Sequence, residues 1–194
     1  MISLREPPDD LRGFPSSLVP GRLLRVCRSG RATWWFSSDG SGRFDLVPPA
    51  GTCYLATDAY AAVREASRLG PVTPAWAGAR ELRRIAPPDA GARLAATTRR
   101  GAGRFGVTTE LATLLPHDLP RRWAAAFRSH GFAGIRHELR HDPRARPSGV
   151  ALFGAAGAPA WDDGERQRLT TAMVVECGVQ ILPPPRVAAV TIVD

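Results

Sequence analysis

The sequence contains no lysine. All 26 of its basic residues are arginine, set against 18 acidic ones in 194 residues, for a net charge of +8. An excess of that size admits a nucleic-acid surface, because neutralised phosphates supply affinity regardless of base sequence. The arginines are dispersed, however, with only short pairs such as Arg83 and Arg84, Arg99 and Arg100, or Arg121 and Arg122. Their abundance beside Ala, Gly and Pro reads as a compositional bias, and a polyanionic small ligand or an acidic partner would be served equally well. Direct binding of nucleic acid stays a competing reading.

Cysteine is scarce too. Cys27, Cys53 and Cys177 are odd in number and far apart, with no C-x-x-C pair, which argues against a disulfide framework and fits reduced thiols in the cytoplasm. No apolar run approaches the length of a membrane span, and the opening MISLREPPDD lacks the apolar core of a signal peptide. The expectation is a cytoplasmic protein without a membrane partner. A chain of this length buries roughly 70% of the surface that it exposes when unfolded, so one domain needs no metal or disulfide staple. Residues 1–20, rich in proline and charge, read as an irregular N-terminal arm, and residues 21–194 as one domain.

Within that domain the patterns change often. GRLLRVCR alternates as a short strand, with Leu23, Arg25 and Cys27 on one side and Leu24, Val26 and Arg28 on the other. TCYLAT reads as a strand, Asp58 as a helix cap, and AYAAVREASR as a helix with Ala59, Ala62, Val63 and Ala66 on its apolar face. At about 100 degrees per residue, Glu65 lies on the border of that face, where a carboxylate can reach a cleft. PRRWAAAFRSHG is a further helix, stopped by Gly131. GIRHELRH and GVALFG form a pair of strands, residues 166–177 a last helix, and VQIL and VAAVTIV closing strands. The class this predicts is α+β: a single domain with a mixed or antiparallel sheet and packed helices.

HELRH, residues 137–141, matches the H-E-x-x-H pattern of zinc peptidases, which requires a helix to set both histidines on one face. Here Ile135, His137, Leu139 and His141 alternate against Arg136, Glu138 and Arg140 with the period of a strand. On a strand the two histidines stand about 13 Å apart at roughly 3.3 Å per residue, too far to share one metal ion. No metal site is expected.

The segments GRFDLVPPAGTCYLATDAYAAVRE, GVTTELATLLPHDLPRRWAAAFRSHGFAGIRHELRHDP and GVALFG, taken in order, resemble the RES domain family over about Leu23 to Leu182. The resemblance implies an ADP-ribosyltransferase-like fold and an attack on NAD, with water, phosphate or a protein side chain as acceptor. It also implies the role of toxin in a bacterial toxin-antitoxin pair, with an Xre-type helix-turn-helix antitoxin as partner. NAD is then substrate, and no cofactor is called for. By position the resemblance puts Arg25, Tyr54 and Glu65 in the catalytic set, with Arg43 and Arg140 as further contacts to NAD. Nicotinamide in NAD is already a cationic leaving group, so the site must chiefly stabilise an oxocarbenium-like transition state and admit a nucleophile. Glu65 would stabilise that charge or orient the nucleophile, Tyr54 would pack on the nicotinamide side, and Arg25 and Arg43 would hold the pyrophosphate. Without the resemblance, the same residues would read as a solvated carboxylate, a half-buried aromatic and a cross-sheet ion pair.

One position departs from the family pattern. Leu139 stands where the family has serine, and His137 where it has an aromatic residue; leucine cannot give the hydrogen bond that a hydroxyl would. A catalytically impaired scaffold that binds a nucleotide or a partner protein is therefore the alternative to an active enzyme.

Overall fold

The computed structural model describes residues 3–68 and 70–183. Its strands are β1 (Ser16–Leu18), β2 (Leu23–Arg28), β3 (Ala50–Ala56), β4 (Arg80–Ile85), β5 (Arg93–Ala96), β6 (Gly134–His137), β7 (Gly149–Ala155) and β8 (Glu165–Arg168). They form one sheet in the order β1-β5-β6-β7-β3-β2-β4-β8, antiparallel throughout except for the parallel pair β5 and β6. The helices are α1 (Ala59–Ser67), α2 (Pro74–Gly78), α3 (Asp118–Ser129) and α4 (Thr171–Glu176). Two 3-10 turns, Arg100–Phe105 and Thr109–Ala112, precede α3. The fold is a single α+β domain with a mixed, mostly antiparallel sheet.

Alternation along the strands decides what each face carries. Tyr54, Ala151, Ile135 and Ala95 lie opposite one another in register and face α3, whose Trp123, Ala124 and Phe127 are buried against them. Further along the same face, Leu24, Ala56, Leu82 and Leu139 pack against Ala61 and Ala62 of α1. The other face carries Leu23, Cys53, Leu55, Val150 and Leu152 beneath Trp34 and Phe36. Helix α1 begins where the sequence predicts, with the Asp58 carboxylate accepting from the Ala61 N–H at 2.9 Å.

Several expectations change. The lead-in 1–20 ends in a strand, β1, and buries Leu4, Leu11, Phe14 and Val19 in the core. The expected helix over 166–177 divides: Glu165–Arg168 extends as an edge strand on β4, and α4 starts only after Thr170, whose hydroxyl accepts from the Met173 N–H. Cross-strand charge at Arg84 and Glu165, 3.7 Å apart, suits the strand. VQIL contributes a single bridge, Ile181 to Val72. VAAVTIV lies outside the described residues.

Candidate active site

Strands β2 and β3 pair only at Leu24 and Ala56, and beyond that point they part. Over this parting, between α1 and the loop 37–45, lies a cavity of about 650 Å³. Its floor is apolar, from Leu24, Val26, Ala56, Ala62 and Leu139, whereas its walls carry Arg43, Arg68, Arg140, His117 and His141 around Glu65. A smaller cavity of about 290 Å³, with Thr97, Thr98, Thr108 and Thr109 in its lining, shares His137 and Glu138 with it.

Glu65 is where helical geometry predicts, on the border of the α1 face. Its residue is exposed to solvent, yet the groups packed around the carboxylate desolvate it enough to raise its pKa. Arg43, Arg68 and Arg140 act in the opposite sense, favouring the carboxylate.

Tyr54 lines the cavity with its ring, but its hydroxyl is committed to the neighbouring loop. It donates to Asp45 Oδ1 at 2.8 Å and accepts from the Phe44 N–H at 2.8 Å. Asp45, 2% exposed, also accepts from the Ser37 hydroxyl and the Gly42 N–H, each at 2.9 Å. Gly42 has no room for a Cβ, which would run into the Asp45 carboxylate and the Tyr54 hydroxyl. Burial and the Asp45 carboxylate both push the Tyr54 pKa far up, so the phenol stays protonated. This network holds the loop that carries Arg43, whose Nη1 donates to the Leu114 carbonyl at 2.7 Å. Burial and the charge of Arg140 lower the Arg43 pKa, the mark of a cation crowded into a partly dry site.

The expectation that Arg25 joins Glu65 and Tyr54 needs correction. Arg25 borders the cavity, but alternation turns its side chain to the other face of the sheet, with Leu23 and Cys27. There Nη1 donates to the Thr33 carbonyl at 2.6 Å and to Cys53 Sγ at 3.3 Å. The guanidinium ties β2 to the chain that fills the gap beside β3.

HELRH is not helical. β6 ends at His137, and Arg140 and His141 form a turn, so the metal-binding face of a peptidase helix does not exist here. His137 is buried, edge-on to Phe44 at 4.9 Å. Its Nδ1 donates to the Glu138 carbonyl at 2.8 Å, Nε2 has no partner, and burial drives its pKa down to about 4. It is a neutral ring packed on Phe44 at the boundary between the core and the two cavities.

The cavity thus brings together Glu65, Tyr54, Arg43 and Arg140 of the predicted set, with Leu139 in the floor. Sequence reasoning missed Asp45, Arg68, His117 and His141. Asp45 directly follows the Gly-Arg-Phe turn and was within reach of it; Arg68 gave no signal, since it stands where a helix usually ends in glycine.

No family model matches the chain, and no curated protein does. Among solved structures the fold is similar to a chain in the crystal structure of the M. tuberculosis MbcT-MbcA toxin-antitoxin complex, with a TM-score of 0.63 and 14% identity. The match covers 84% of this chain and 91% of that one. At that identity the likeness is one of fold.

Proposed function

We propose that the chain is an NAD-consuming enzyme that cleaves the bond between nicotinamide and ribose, acting as a toxin restrained by a separate antitoxin. The observation that carries this reading is the lining of the cavity, which gathers apolar side chains and three arginines around Glu65. A volume of about 650 Å³ suits an organic ligand of nucleotide size. The floor would take the flat nicotinamide ring, Arg43 and Arg140 the pyrophosphate, and Glu65 the ribose. Ionised Glu65 would stabilise the positive charge that develops as the C–N bond breaks, and the bond's electron pair would leave with neutral nicotinamide. Tyr54 would act through its ring and by holding the Arg43 loop. An antitoxin of the Xre helix-turn-helix kind is the proposed partner, and the fold's likeness to a chain in a toxin-antitoxin complex supports that class of partner.

Leu139 favours a second reading. It packs with Leu24, Ala56 and Ala62, so the floor offers no hydroxyl where the resembling family has one. That suits a scaffold that holds a nucleotide or a partner without turning it over. Incubation of the purified protein with NAD separates the two. Free nicotinamide, with ADP-ribose, its 1-phosphate or a protein-linked product beside it, supports the enzyme and identifies the acceptor. Tight NAD binding without nicotinamide release supports the scaffold.

A further inference from the structure

Arg68 closes α1 with φ 53° and ψ 33°, a left-handed conformation. Helices usually give that position to glycine, because a Cβ crowds the neighbouring carbonyl there. A glycine stands only two residues on, at Gly70, and would suit the cap better than an arginine does. The turn instead brings Arg68 into the lining of the main cavity, beside Glu65 and Ala66. Arg25 has turned its guanidinium through the sheet to Thr33 and Cys53, and Arg43 spends one of its donors on the Leu114 carbonyl. Arg140 stands on the facing turn, so Arg43, Arg68 and Arg140 approach the same space from three separate elements. Guanidinium groups are suited to oxyanions because their planar donors form paired charge-assisted bonds, and three such groups fit an anion with two phosphates better than one with a single phosphate.

We propose that Arg68 is a binding residue of this cavity, gripping the diphosphate of a dinucleotide with Arg43 and Arg140, and that its left-handed backbone is kept for that task at a cost in stability. The inference rests on reading the cavity as an NAD site, so its test uses a probe that needs no turnover. Binding of inorganic pyrophosphate is measured by calorimetry in the parent, Arg68→Gly and Arg68→Lys, alongside thermal unfolding and NAD cleavage. The expected result is that Arg68→Gly binds pyrophosphate about tenfold or more weakly, with Tm at or above the parent's because glycine accepts the cap without strain. Arg68→Lys should keep part of the affinity. Equal affinity in the parent and Arg68→Gly overturns the inference, and so does a parent that ignores pyrophosphate. Weakened binding with a lowered Tm overturns it as well, since it assigns Arg68 a merely structural role. A parent that binds pyrophosphate through Arg68 but leaves NAD intact retains the anion site and retires the proposed activity.

Discussion

A buried imidazole with one bonded and one bare nitrogen is stable only while it is neutral, and His137 is such a group. Its folded pKa of about 4 lies below the value of 6.5 for an unperturbed histidine, so between those limits the unfolded chain binds the proton and the folded one does not. Stability is therefore full above pH 6.5 and declines as pH falls toward 4, by about 3 kcal/mol in all. Urea unfolding from pH 7 to pH 4.5 should show this slope in the parent and a shallower one in His137→Phe; parallel slopes would remove His137 as the cause. Glu65 works in the opposite direction. Desolvation raises its pKa above the ordinary glutamate value, so activity that needs its ionised form should start to fall at a higher pH than an unperturbed glutamate would give. The acid limb of kcat/KM for NAD measures this directly.

At the scale of elements, the loop 37–45 is fixed both by the burial of Phe44 in the core and by polar bonds around Asp45. Tyr54→Phe removes the donor to Asp45 Oδ1 and the acceptor for the Phe44 N–H, and Asp45 is only 2% exposed. The loss should be about 1–3 kcal/mol in denaturant unfolding, with a raised KM for NAD as the Arg43 loop loosens. The pairing of β6 with β7 makes a second demand. A Cβ on Gly149 would stand 2.6 Å from His137 Cε1 and 2.8 Å from Leu139 Cδ2, so Gly149→Ala should cost about 1–3 kcal/mol through overpacking. β2, β3 and α1 were legible because alternation and the Asp58 cap are local signals. The same alternation already set Arg25 with Leu23 and Cys27, away from Leu24 and Val26, and it outweighs the carry-over of Arg25 by position. The helix α4 lay within the one expected over 166–177, but residues 165–168 were not legible as a strand, because a charged edge strand such as Glu-Arg-Gln-Arg draws its preference from β4, far away in sequence. The bonds of Asp45 to Ser37, Gly42 and Tyr54 lie in a turn-rich stretch without period, so they too were hidden.

For the whole molecule, some of the 26 arginines are neutralised locally. Arg83, Arg84, Arg121, Arg122, Arg144, Arg146 and Arg166 all enter ion pairs with acidic partners. The arginines around Glu65 are instead grouped on one cavity, which focuses positive potential on the place where a dinucleotide would enter. Opposite faces of one sheet thus do different work: one holds the cavity under α1, and the other buries Trp34, Phe36 and the Arg25 tie. In the proposed function this cavity cleaves NAD with Glu65 facing the reacting ribose. The most direct test follows nicotinamide released from NAD by the parent and by Glu65→Gln, with matched thermal unfolding to show that both are folded. The expected result is release by the parent and a fall of about 100-fold or more in the variant. Equal rates in the two proteins, or no release by the parent, would contradict it.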